Sequence, residues 1–111
     1  MAISLVGTPQ RGAAYGGADI TLTFNVAPQQ NDVVVVWGGY ATATSGGDYT
    51  PLPGPSTAGY TSIVSYASGG LGWGIWYKIQ GSVPDTNVVC RGNGNASSGV
   101  VYCCAVFRGV D

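Results

Sequence analysis

Asp19-Ile20-Thr21-Leu22-Thr23-Phe24-Asn25-Val26 decides the fold class. Ile20, Leu22, Phe24 and Val26 fall on one side of an extended chain, and Thr21, Thr23 and Asn25 on the other. That period of two is what a half-buried antiparallel strand requires, and a helix with 3.6 residues per turn would scatter these apolar positions around its axis. The segment 71–79 repeats the pattern, which predicts Leu71, Trp73, Ile75, Tyr77 and Ile79 inward and Gly72, Gly74, Trp76 and Lys78 outward. Asp32–Trp37 is different: four consecutive valines and a Trp form a β-branched run, which reads as a strand covered on both faces. Val100–Phe107 is also apolar on both sides and reads as a second central strand. Shorter strands are expected at Ile3–Val6, Tyr60–Ala67 and Thr86–Arg91.

Turn chemistry separates these runs. Ala27–Asn31 holds Pro28. Ser45–Gly59 holds three prolines and several glycines and reads as a loop. Ser68-Gly69-Gly70 and the Asn/Gly/Ser-rich Gly92–Gly99 read as hairpin tips. No segment carries a helical stripe. Short alternating strands with Gly/Pro punctuation predict an all-β, two-layer antiparallel β-sandwich, immunoglobulin-like or jelly-roll-like, filling residues 1–111 as a single domain. The expected core is Ile20, Leu22, Phe24, Val34, Val36, Ile75, Tyr77, Val106 and Phe107, with Val33 and Val35 on the opposite face under a loop or a neighbouring subunit.

Composition restricts function. In 111 residues there is no His and no Glu, and only four cationic and five anionic side chains, with a net charge of −1. General acid–base catalysis draws most often on His, and a Ser or Cys nucleophile without one needs an amine as base. Lys78 is the only Lys and no serine motif frames it, so the chain reads as no enzyme. Metal sites need His, Cys or clustered carboxylates, and the Asp residues do not cluster, so no metal or other cofactor is expected. Four dispersed cations make no phosphate-binding patch, which argues against nucleic acid as a partner. The apolar runs, Val33–Trp37 and Val100–Phe107 among them, fall far short of the ~20 residues a spanning helix needs, so no membrane partner is expected. Residues 1–7 have neither the basic nor the apolar region of a signal peptide.

Individual residues carry modest expectations. Asp32 caps a turn. Arg108 either contacts a partner's carboxylate or pairs inside the domain with Asp85, Asp111 or a chain-end carbonyl. Trp73 belongs to the core, while Trp76, on the other side of its strand, is the exposed contact anchor or lies beneath the Ser45–Gly59 loop. Cys103 and Cys104 project to opposite faces. A Cys90–Cys104 bridge requires neighbouring strands, and otherwise the thiols behave as small buried hydrophobes.

Five blocks carry a family resemblance: MAISLVGT at 1–8, VAPQQNDVVVVWGG at 26–39, GYTSI at 59–63, IWYKIQGSVPDTNV at 75–88 and AVFRGVD at 105–111. Their order and spacing resemble small β-sandwich virion proteins of tailed bacteriophages, which serve as head-decoration proteins or as domains of tail and fibre proteins. Asn31-Asp32 stands where that family opens an apolar strand with Gly-Asp. Gly59-Tyr60-Thr61 stands for a Gly-Trp-Thr element, Tyr77-Lys78 for a tyrosine–lysine strand, and Phe107-Arg108-Gly109-Val110 for the closing motif. The resemblance implies a non-enzymatic, multi-copy capsid-decoration protein. It would sit on the capsid surface rather than the tail, docked on the major capsid protein or another virion protein, and form homo-oligomers on the particle. A receptor- or carbohydrate-binding domain of a tail fibre is the alternative. Longer look-alikes continue past the closing motif, so an edge for a partner is expected at Val100–Asp111 or Ile3–Val6. Trp76, Arg108, Val110, Ile3 and Leu5 are the candidate contact residues.

Overall fold

The computed structural model describes residues 2–15, 17–42, 51–92, 94 and 98–110. Eight strands follow one another: β1 (Ser4–Tyr15), β2 (Ile20–Thr23), β3 (Val33–Thr42), β4 (Gly54–Pro55), β5 (Thr61–Ser68), β6 (Leu71–Ile79), β7 (Asn87–Arg91) and β8 (Ser98–Arg108). They form a five-stranded sheet in the order β1-β8-β3-β6-β5 and a three-stranded sheet in the order β2-β7-β4, every pair antiparallel. The small sheet covers one face of the large one, which makes the all-β sandwich expected from the period-two pattern.

The core lies between the sheets. Ile20, Leu22, Val88 and Cys90 from the small sheet meet Val34, Val36, Tyr40, Val100, Tyr102, Cys104, Val106 and Trp76 from the large one. Tyr102 ties the layers together. Its ring is fully buried, and its hydroxyl donates to the Arg91 carbonyl at 2.6 Å and accepts from the Gly54 amide at 3.1 Å. One side chain of β8 thus satisfies backbone groups of both β7 and β4.

Several expectations are corrected. β2 ends at Thr23, not Val26, because Asn25 leaves the ladder. Its amide donates to Thr8 Oγ1 at 2.7 Å and its carbonyl oxygen accepts from the Thr8 amide at 3.2 Å. Phe24 is only half-buried against the core, and Val26 is exposed. β1 runs far beyond Val6. Its Gly- and Ala-rich second half lacks a strand pattern and is extended by pairing with β8 after a register break between Val6 and Gln10. Gly12 there lets β1 approach the small sheet, where an added Cβ would lie 2.5 Å from Ile20 Cγ2.

The largest correction concerns β6. Gly72, Gly74 and Trp76 face the core, while Leu71, Trp73, Ile75, Tyr77 and Ile79 point away from it. The two glycines are sockets. A Cβ on Gly72 would overlap the Tyr40 ring, and one on Gly74 or Gly54 would overlap the Trp76 indole. Two large rings lying flat in these sockets fill the core better than five side chains standing upright on one strand would. Trp76 is therefore core and 6% exposed; it is no outside anchor, and of its two expected places it takes the one beneath the Ser45–Gly59 loop, where Gly54 lies against its indole. Ile75, Tyr77 and Phe107, expected in the core, are half-buried on the opposite face.

Val100–Phe107 lies centrally, as its two apolar sides suggest, and the expected edge at Val100–Asp111 is wrong: β8 is flanked by β1 and β3. The true edges of the large sheet are β1 and β5. The Ser68–Leu71 hairpin is as expected, with Gly69 and Gly70 at φ +59° and +82°, the left-handed pair a tight two-residue turn demands. Gly92–Gly99 is no hairpin tip, since β7 and β8 belong to different sheets; residues 93 and 95–97 of that stretch, and 45–50 of the Ser45–Gly59 loop, lie outside the described residues.

Candidate functional site

The face of the large sheet turned away from the core is the most unusual surface of the molecule. Strand registers place its side chains in rows that run across four or all five strands. One row reads Arg11, Cys103, Trp37, Ile75 and Val64; the next reads Ala13, Val101, Gly39, Trp73 and Tyr66. Toward the other end come Ala105, Val35, Tyr77 and Thr61, and then Leu5, Phe107, Val33 and Ile79. Arg11 is the single charged residue in these rows. Large apolar side chains stay open to solvent, including Trp37, Trp73, Leu71, Ile79 and Tyr66, the last 53% exposed. The Trp73 and Tyr66 rings sit 6.3 Å apart at 35°. Beside them Gly39 leaves a hollow in which an added Cβ would meet only the Gly72 carbonyl oxygen at 3.2 Å and Trp73 Cβ at 3.8 Å.

Five strands at a spacing of about 4.8 Å, with nine paired residues at about 3.3 Å each, make a face of roughly 700 Å². A standard protein–protein interface uses about 800 Å² per partner. Broad faces with this many exposed apolar side chains are rare on proteins that stay alone and mark contact surfaces. Interface cores are rich in Trp, Tyr and Phe and poor in charge, which is the composition found here.

Four of the nine charged residues pair with one another away from this face. Asp32, 1% exposed, closes the turn before β3: its amide donates to the Gln29 carbonyl and its Oδ2 accepts from the Gln29 amide at 2.8 Å. Asn31 sits inside that turn at φ +71°, a left-handed conformation Asn tolerates. The turn-capping expectation for Asp32 is met. Arg108 grips the same carboxylate with two bonds, Nε to Oδ1 at 2.8 Å and Nη2 to Oδ2 at 2.7 Å. Its partner is thus Asp32 rather than Asp85 or a chain-end group; Asp111 lies outside the described residues. The Arg108 hydrogen bonds hold the Asp32 carboxyl below its ordinary range, against the opposing effect of burial. A shallow cleft of about 280 Å³ beside this pair is lined by Gln29, Gln30, Asn31, Asp32, Arg108, Gly109 and Val110. Lys78 pairs with Asp85 at 2.9 Å, and the Gln80 amide donates to the other Asp85 oxygen at 3.2 Å.

Of the five residues expected to touch a partner, Leu5 lies on the open face beside Phe107. Ile3 is exposed just ahead of β1, and Val110 is exposed at the cleft. Arg108 is occupied by Asp32, and Trp76 is buried. Sequence reasoning missed Trp37, Trp73, Ile75, Tyr77 and Ile79 as surface residues. The signal was the Gly72/Gly74 pair, because a strand side made of glycine leaves room for rings to lie over it, here Tyr40 from β3 and Trp76 from β6 itself.

The three cysteines are unpaired. Cys90 and Cys104 are buried, on strands of opposite sheets rather than on neighbouring ones, and burial pushes their thiols up to about 12 and about 11. Cys103 is half-buried on the open face. Among the described residues no group of three His, Cys, Asp or Glu is placed to hold a metal ion. Comparison of the chain with protein-family models, curated proteins and solved structures finds no match in any of the three.

Proposed function

We propose that this chain is a non-enzymatic structural protein of a tailed-phage virion, a multi-copy capsid-decoration protein that docks on the capsid lattice through the open face of its large sheet. The carrying observation is that face: five strands wide, apolar, bearing only Arg11, with Trp37 and Trp73 standing beside the Gly39 hollow. The partner would be the major capsid protein or another virion protein offering an apolar, weakly charged surface. The virion assignment draws its support from the sequence blocks that resemble decoration proteins. The Asp32–Arg108 and Lys78–Asp85 pairs lie outside the open face, so the contact should be insensitive to ionic strength.

The test is to locate the chain on the native particle by electron microscopy and then to wash particles with high salt and with mild denaturant. Retention in salt and release in denaturant is expected, and an Ile75→Asp chain should fail to incorporate. Release by salt alone, or full incorporation of the Ile75→Asp chain, defeats the docking face. The exposed Trp37, Trp73 and Tyr66 favour a second reading, a carbohydrate-binding domain of a tail fibre, since flat aromatic rings stack on sugars. Binding to a glycan array that is lost in Trp73→Ala would establish it instead.

A further inference from the structure

The two edges of the large sheet are built differently. β1 is blunted by Pro9, by Arg11 and by the register break between Val6 and Gln10, where Asn25 reaches across to Thr8. These are devices by which proteins keep an edge from pairing with another chain. β5 has one of them, a bulge between Ser62 and Val64. Beyond it, Val64–Ser68 is a regular run without Pro, Lys or any charge, and no charged residue occurs from Tyr49 to Tyr77. Its outer side pairs with no described strand. The small sheet packs on β1, β3, β6 and β8 and makes no comparable contact with β5.

We infer that two copies of this chain pair through β5, antiparallel about a two-fold axis near Tyr66, joining their large sheets into one. The composition selects this occupant. An uncharged strand offers a charged partner nothing to complement, and it does not repel its own copy, whereas like charges set opposite each other would. Two copies of Val64–Ser68 in this register place Val64 opposite Ser68, Ser65 opposite Ala67 and Tyr66 opposite Tyr66. The small residues, Ser65 and Ala67, fall on the side of the small sheets. The tyrosines fall on the open face, each beside its own Trp73, which makes a row of four rings across the junction. Aromatic cross-strand pairs of this kind stabilise sheets. A closed two-fold pair consumes the edge and cannot grow into a fibre. The inference rests on the fold and the strand composition, and it stands whether or not the open face docks on a capsid.

The experiment uses the full chain, with molar mass read by light scattering and sedimentation across a concentration series. Twice the chain mass is expected. Ser65→Lys and Tyr66→Lys, both at exposed edge positions, should raise the dissociation constant at least tenfold with an unchanged β-type circular dichroism spectrum. Ala13→Lys on the β1 edge should leave the dimer intact. As a positional check, Tyr66→Cys in a Cys103→Ser background should oxidise to a covalent dimer, since directly opposed residues of antiparallel strands lie within disulfide reach. A monomer at every concentration overturns the inference. So does a dimer that survives Ser65→Lys but is lost in Ala13→Lys or in Trp37→Asp, or a Tyr66→Cys chain that yields no covalent dimer.

Discussion

Replacing Tyr102 with Phe removes one oxygen atom and tests how the two layers are joined. The ring stays, still tilted against Trp76 at 6.2 Å and still seated over Gly38, where a Cβ would lie 2.5 Å from Tyr102 Cδ1. Apolar burial is therefore nearly unchanged, and the loss isolates the two hydrogen bonds of the hydroxyl. The Gly54 amide is buried and is left without its acceptor. A buried donor stranded in this way costs about 1–3 kcal/mol. The Arg91 carbonyl belongs to an exposed residue that water can reach, so its loss is nearer the ~0.5–1.5 kcal/mol of an ordinary hydrogen bond. Together about 1.5–4.5 kcal/mol is expected, a large share of the ~5–15 kcal/mol that holds a domain folded. Urea titration followed by tryptophan fluorescence reads it as a lower midpoint at constant slope. A loss below about 0.5 kcal/mol would refute the reasoning, because it would mean that water replaces the hydroxyl and that Tyr102 does not tie β4 and β7 to the large sheet. A changed slope would point instead to an altered denatured state or loosened packing.

Arg108→Met should lower the urea midpoint more than Asp32→Asn does, because the first strands a buried carboxylate and the second leaves a guanidinium that water already reaches. The Asp32 carboxyl is held below its ordinary range in the folded chain, so the pair's contribution is complete above about pH 4 and fades as pH falls further. Urea midpoints between pH 6 and 2 should show that fall in the parent chain and less of it in Asp32→Asn. Gly74→Ala pushes a methyl group into the Trp76 indole and should cost about 1–3 kcal/mol, measured by the same titration. With the native fold intact, a thiol reagent at pH 8 should modify Cys103 quickly, while Cys90 and Cys104 react only on unfolding; mass spectrometry of the labelled peptides distinguishes them.

The class of the fold and most of its strands follow from the amino-acid pattern alone. Ile20 and Leu22 alternate with threonines because one side of β2 meets the core and the other meets water, and that relation survives any arrangement of the neighbours. The absence of His and Glu and the scarcity of charge were likewise plain before any coordinates. Which side of β6 goes in depends on how the strands pack against one another. Counting apolar residues favours Leu71, Trp73, Ile75, Tyr77 and Ile79, but burial depends on the shape of the opposing surface as well as on hydrophobicity. Gly74 takes the indole of Trp76 from its own strand, but Gly72 accepts the ring of Tyr40 and Gly54 closes over Trp76 only after β3, β6 and β4 have come together. With that side filled, the larger apolar set is left outside, and it becomes the candidate docking face. The same holds for Arg108 and Asp32, 76 positions apart, which meet only because β8 runs beside β3. It holds also for the edges: the Gly- and Ala-rich half of β1 has no strand pattern of its own and is extended only by its partner β8, which thereby becomes central and leaves β5 as the uncharged edge.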